Sequence, residues 1–265
     1  MFLSNFPQTM ELKLPHDSLF QPSPPFPLPL RNFFNSMPFG SHSDPTLSQI
    51  RWQVFSSLAF GSKGVLYFCY WTPRGSEFLQ GGGLLVPTLP ESAASDGSDF
   101  IRGPHYEDAR QVNSVIVAWE EHLLEAQSTC VWYLSAIAFG TNTALPACDT
   151  DASVLPLVAS VGNDFGRYVN GSVLVGQFDT GAVLLQNQDF TFKTLLTVDF
   201  LNAASSKGEE REGIFEVNRS TGEEELLGDD SPDAPGVQVS LDAGDARLFV
   251  VRSSSSLLSL RKSKA

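Results

Sequence analysis

The sequence predicts a chain of two characters, an α/β unit over residues 30–130 and an antiparallel β-sandwich over 157–252. Three observations predict it. Residues 44–77 read as a helix, a tight turn and a strand that is apolar along its whole length. Residues 105–126 repeat apolar side chains at spacings of three and four, as a helix covering a sheet does. After about Pro156, short apolar runs alternate with turn residues and no helical pattern intervenes, which is the signature of a sandwich.

Prolines at 7, 15, 22, 24, 25, 27 and 29 break regular structure, so residues 1–29 read as a disordered lead-in. Residues 30–37 hold a short strand, and a loop with Gly40, His42 and Asp44 follows. Asp44 suits a helix N-cap and Pro45 the first helical position, where a missing N–H costs nothing. Leu47, Ile50, Val54, Leu58 and Ala59 form one apolar stripe, and Gly61 stands where a C-terminal cap glycine belongs. The run from Val65 to Trp71 is apolar on both faces, the pattern of a fully buried parallel strand. Thr72-Pro73 ends it, because proline cannot donate to a ladder. Strand, helix and strand make a right-handed βαβ unit.

Residues 75–103 are loop-rich, and Pro104 opens the second helix, with Ala109, Val112, Ile116, Trp119 and Leu123 on its buried face. Residues 131–156 read as a linker containing one apolar strand. Strands are then expected at 157–161, 172–178, 182–187, 191–200, 213–218, 223–227, 237–241 and 247–252. Turns are expected at Asp179-Thr180-Gly181, Ser220-Thr221-Gly222 and Asp242-Ala243-Gly244-Asp245. The polar, basic stretch 253–265 is expected to fray as a disordered tail.

Composition narrows the partners. The 265 residues carry a formal net charge of −13, which argues against nucleic acid and against an anionic membrane surface as ligands. No run of about 18 apolar residues marks a membrane span. The apolar start at residues 1–6 is too short for an export signal, which leaves the compartment open. Of three cysteines, Cys69 reads as a core thiol, while Cys130 and Cys148 can pair or stay apart. No Cys/His spacing suggests zinc or another metal, and no cofactor is implied. Gly81-Gly82-Gly83 lacks the Lys-Ser/Thr and helix of a phosphate loop, and no G-x-S-x-G occurs.

The stretch 31–78, RNFFNSMPFGSHSDPTLSQIRWQVFSSLAFGSKGVLYFCYWTPRGSEF, resembles the last two βα units of β-galactosidase-like glycoside hydrolases built on a TIM barrel. The helix ending at Gly61, the aromatic strand with Trp71, and Arg74-Gly75 look like the seventh helix and eighth strand of that barrel. Residues 172–190 and 242–249 are similar to the small sandwich that follows such barrels. The resemblance implies a partial barrel remnant joined to an antiparallel sandwich, carbohydrate as ligand, and the rest of a barrel as a further partner. Two departures accompany it. The position aligned with the family's nucleophilic glutamate is Asn35, and an amide cannot form the glycosyl ester of a retaining mechanism. The strand bearing the family's acid/base glutamate is expected to lie outside this chain, since a closed barrel takes about 250 residues. The resemblance thus implies a fragment inactive alone, or else a non-catalytic carbohydrate-binding or interaction module.

The residues themselves place Tyr70, Trp71, Arg74 and Glu77 at the C-terminal end of the aromatic strand, the end that carries ligands in α/β barrels. Trp71 and Tyr70 offer flat faces for a sugar ring, Arg74 and His42 offer donors to hydroxyls, and Glu77 is a weak candidate for a catalytic carboxylate. For each the plain alternative is core packing or an exposed loop, and Asp44 is better explained as a cap.

Overall fold

A computed structural model of the chain describes residues 31–73, 82–87, 100–137, 140–146, 156–163, 171–200, 212–229 and 236–253. The expected lead-in and tail, and with them Arg74, Glu77 and Cys148, lie outside the described residues.

The chain begins with β1 (Arg31–Asn35), α1 (Leu47–Ala59) and β2 (Gly64–Phe68). β1 and β2 pair in parallel, with Phe33 opposite Leu66 and Phe34 opposite Tyr67. This is the expected strand–helix–strand order. The cap differs from expectation. Thr46 is the N-cap, and its side chain and Gln49 form a reciprocal capping box, whereas Asp44 is drawn away to another partner. Ile50, Val54, Phe55, Leu58 and Ala59 are buried along one side of α1.

β2 is not the fully buried strand that its apolar run suggests. Phe34, Val65 and Tyr67 pack toward the helices, but Phe33 is 66% exposed and Leu66 38% exposed. The reason is the neighbourhood. Among the described residues the parallel sheet has two strands, and helices cover one of its faces. Beyond β2 the backbone continues beside β3 (Leu85–Pro87), with hydrogen bonds Leu85 N→Tyr70 O and Thr72 N→Leu85 O. β3 forms a hairpin with β4 (Phe100–Arg102).

α2 (Tyr106–Ala118) and the short α3 (Glu120–Leu123) follow, and then β5 (Ser128–Ile137). β5 corrects the expectation of a linker at 131–156. It is an edge strand of a large sheet, paired antiparallel with β8 (Gly171–Phe178). Its side chains alternate as a sheet strand's must: Cys130, Trp132 and Leu134 enter one core and Val131 another.

Of the remaining strands, β6 (Asn142–Ala144) is not among those expected, since it falls in the stretch read as a linker, and the others fall close to their expected positions. Those are β7 (Val158–Asn163), β9 (Ala182–Asn187), β10 (Thr194–Phe200), β11 (Glu212–Val217), β12 (Glu224–Asp229), β13 (Val237–Leu241) and β14 (Ala246–Ser253). They form a six-stranded sheet in the order β12-β11-β14-β9-β8-β5 and a four-stranded sheet β13-β10-β7-β6, antiparallel throughout.

Two cores result. One fills the space between the two antiparallel sheets, with Val161, Val175, Leu185, Leu196 and Leu241. The other lies on the opposite face of the six-stranded sheet, where Leu174, Leu184 and Leu248 meet Phe55, Leu58, Val112 and Trp119 of the helices. The helices are therefore a layer between the six-stranded sheet and the parallel pair. Two turns, the β11–β12 hairpin turn and the β13–β14 crossing between the sheets, are pressed against this layer. A Cβ on Gly244 (φ +67°) would stand 2.0 Å from the Ser48 carbonyl oxygen of α1, and one on Gly222 (φ +76°) 2.3 Å from that of Ala118. Both positions need glycine for its left-handed backbone and for the close approach.

Cys130 is disulfide-bonded, while Cys69 is a free thiol. Alkylation of the denatured, unreduced protein should therefore label Cys69 and leave Cys130 unlabelled. Label on Cys130 in the same peptide map would refute the bridge.

Candidate functional site

The C-terminal ends of β1 and β2 are crowded with rings. Asn35 closes β1, and Gln53 of α1 holds its backbone, accepting from Asn35 N (3.0 Å) and donating to Asn35 O (3.1 Å). The Asn35 side chain is committed to the turn. Its Nδ2 donates to Ser43 O at 3.2 Å and its Oδ1 accepts from Met37 N at 3.3 Å. The position expected to align with a nucleophile is thus an amide that braces the β1–α1 loop.

That loop carries Phe39 and His42, which stack with ring centroids 4.3 Å apart, and Phe39 leans on Phe68 of β2 at 4.7 Å. On the next residues of the chain, Tyr70 is 57% and Trp71 61% exposed. The strand ends at Phe68, so neither side chain is forced into the sheet's core. Trp71 lies nearly parallel to Phe100 of β4, 6.4 Å between centroids. Phe39 and Phe100 are neighbours of this rim that no sequence pattern marks, because both sit in loops or strands too short to carry a periodic signal.

The polar chemistry of the rim is sparse. Cys69 sits between Phe68 and Tyr70, and burial pushes its thiol up, away from the reactive thiolate. Asp44 is not free to act as a rim carboxylate, because its Oδ1 lies 2.9 Å from His105 Nε2. The other ring nitrogen of His105, Nδ1, is 2.9 Å from Asp108 Oδ2 at the start of α2. Beneath the rim, Tyr67 donates to Asn113 Oδ1 at 2.6 Å, and burial pushes its hydroxyl up to about 12, partly offset by that bond. Among the described residues no group of three or more His, Cys, Asp or Glu is placed to hold a metal ion. No helix among them is long and apolar enough to cross a membrane.

Of the residues singled out from the sequence, the structure places Asn35 at the end of β1, His42 on the β1–α1 loop, and Tyr70 and Trp71 just after the end of β2. Arg74 and Glu77 lie outside the described residues.

No protein-family model matches the chain, and no curated protein does. Among solved structures the chain is similar to an α-amylase from Geobacillus thermoleovorans complexed with acarbose, at 11% identity and a TM-score of 0.39, over 85% of this chain and 39% of that one. It is similar to a glycoside hydrolase family 5 protein from Bacteroides vulgatus, at 14% identity and a TM-score of 0.34, over 81% of this chain and 37% of that one. A third structure, titled a glycoside hydrolase, is 12% identical with a TM-score of 0.34, over 86% of this chain and 43% of that one. The chain spans about two fifths of the length of each.

Proposed function

We propose that this chain is a glycosidase-like polypeptide that holds carbohydrate on the aromatic rim at the end of β2 and does not hydrolyse it unaided. The observation that carries the reading is Trp71: a large ring, 61% exposed among the described residues, lying nearly parallel to Phe100. An exposed aromatic face is a surface that a sugar ring's C–H groups can cover, and the stacked pair Phe39–His42 at the end of the same strand offers a second one. Against hydrolysis stands Asn35, an amide with its donors and acceptor already engaged, where a retaining mechanism needs a carboxylate. Glu77 is the residue that would supply a carboxylate if the chain were active.

The face of the parallel pair that bears Phe33 and Leu66 fits a partner of one kind, further parallel strands completing a barrel. Parallel strands are ordinarily covered on both faces, and these are covered on one.

Affinity electrophoresis and calorimetry with soluble β-glucan, galactan and starch test the binding. Trp71→Ala should weaken retention at least about tenfold, or about 1.4 kcal/mol, with an unchanged melting temperature. Aryl glycosides should release no sugar. Release that disappears in Glu77→Gln, or a folded wild type that binds none of the three glycans, would overturn the proposal.

A further inference from the structure

We propose that His105 is a charged latch that positions the aromatic rim, by holding the β1–α1 loop against the start of α2 through Asp44 and Asp108. Its ring is 10% exposed and makes two contacts of 2.9 Å, each to a carboxylate. A neutral imidazole has one N–H and a carboxylate only accepts, so both hydrogen bonds form together only with the imidazolium. Burial alone disfavours that charge, but the hydrogen bonds and attraction from Asp108 and Asp44 outweigh it, and the net effect is a raised pKa.

Asp44 comes from the loop before α1 and Asp108 from α2. Among the described residues of the flanking elements, Glu107 of α2 pairs with Arg102 of β4 at 3.3 Å and with Arg110 of α2 at 2.5 Å. The Arg102 guanidinium also lies 4.5 Å from the centre of the Tyr106 ring. The loop that Asp44 ends is the one that carries Phe39 and His42, and it is also held by Asn35 Nδ2 on Ser43 O, by Ser36 N on Phe68 O and by Phe39 on Phe68. Release of Asp44 frees the end of this loop that is tied to α2.

The sign follows from the raised value. The latch's stabilisation is complete below the ordinary histidine pKa of about 6.5 and is lost as pH rises through the higher folded value. Only the link to glycan binding rests on the proposed function; the latch itself does not.

The test uses the full chain. NMR titration of the histidine rings, with His105→Gln identifying the signal, should place the His105 midpoint above about 6.5. Asp44→Asn should lower that midpoint. The melting-temperature gap between wild type and His105→Gln should be widest near about pH 6 and narrow toward about pH 9. The Phe39 ring signals should shift along the His105 titration. A midpoint at or below the ordinary value, a gap that does not change with pH, or rim signals blind to the titration would each overturn the latch. If no glycan binds at any pH, the proposed function fails, and the ring titration still decides this inference.

Discussion

Trp119→Ala should cost about 3–5 kcal/mol of stability, the range for deleting a large buried aromatic from a core that cannot collapse around the void. Trp119 is 0% exposed and its ring lies 5.5 Å from that of Phe55, in the core where the helices meet the six-stranded sheet. Three layers of structure hold that space open, so relaxation into it is limited. The indole also carries an unpartnered donor, since Nε1 has no hydrogen bond among the described residues. A buried unpaired N–H is itself destabilising by about 1–3 kcal/mol. Trp119→Phe removes that donor while keeping most of the ring volume, and should therefore cost far less than Trp119→Ala. Urea denaturation of the two variants checks both statements. Equal losses would mean that packing around the six-membered ring contributes little.

Arg219→Ala should cost about 3 kcal/mol, near the lower end of the range for breaking a buried ion pair because the arginine is partly exposed. Arg219 follows β11 and reaches Asp245 in the turn before β14. One guanidinium nitrogen donates to Oδ1 at 2.7 Å and the other to Oδ2. The Asp245 side chain is 4% exposed, so removal of the arginine strands a carboxylate away from water. Arg219 also lies over the Phe55 ring at 5.9 Å and so ties the turn to α1. Arg219→Met combined with Asp245→Asn leaves no charge uncompensated and should recover a large part of the loss. A double variant no better than Arg219→Ala would place the effect in packing on Phe55 instead of in the charge pair.

Much of the β-rich part is legible in the sequence because its punctuation is chemical. Gly181, Gly222 and Gly244 mark turns that the strands then obey, and β9 and β13 occupy the residues expected of them. The departures have physical causes. The apolar run at 65–68 specifies a strand but not what covers it, and its second face is bare because the described chain supplies nothing to cover it. Residues 131–137 read as a connection because their apolar content is dense and unflanked by turn residues on the N-terminal side. Burial against two cores at once is what makes them a sheet strand. Asp44-Pro45 and Thr46-x-x-Gln49 are competing cap signals two residues apart. The contest is decided by His105, 61 residues away, which takes the Asp44 carboxylate for itself. Long-range polar partners of this kind have no local signature. The rim shows the same division: Tyr70 and Trp71 stand out in the sequence, but Phe39 and Phe100 join them only through folding.

The bonds that seat α1 on the six-stranded sheet join distant parts of the chain: Gln186 Nε2 donates to Trp52 O, 134 residues earlier, and Ser56 Oγ donates to Gln186 Oε1, 130 residues later. A ribosome delivers the greasy side of the first helix long before it delivers the sheet that shields it. Assembly of this polypeptide must wait on late-made strands, so nascent chains would spend that interval with an adhesive flank in need of a chaperone.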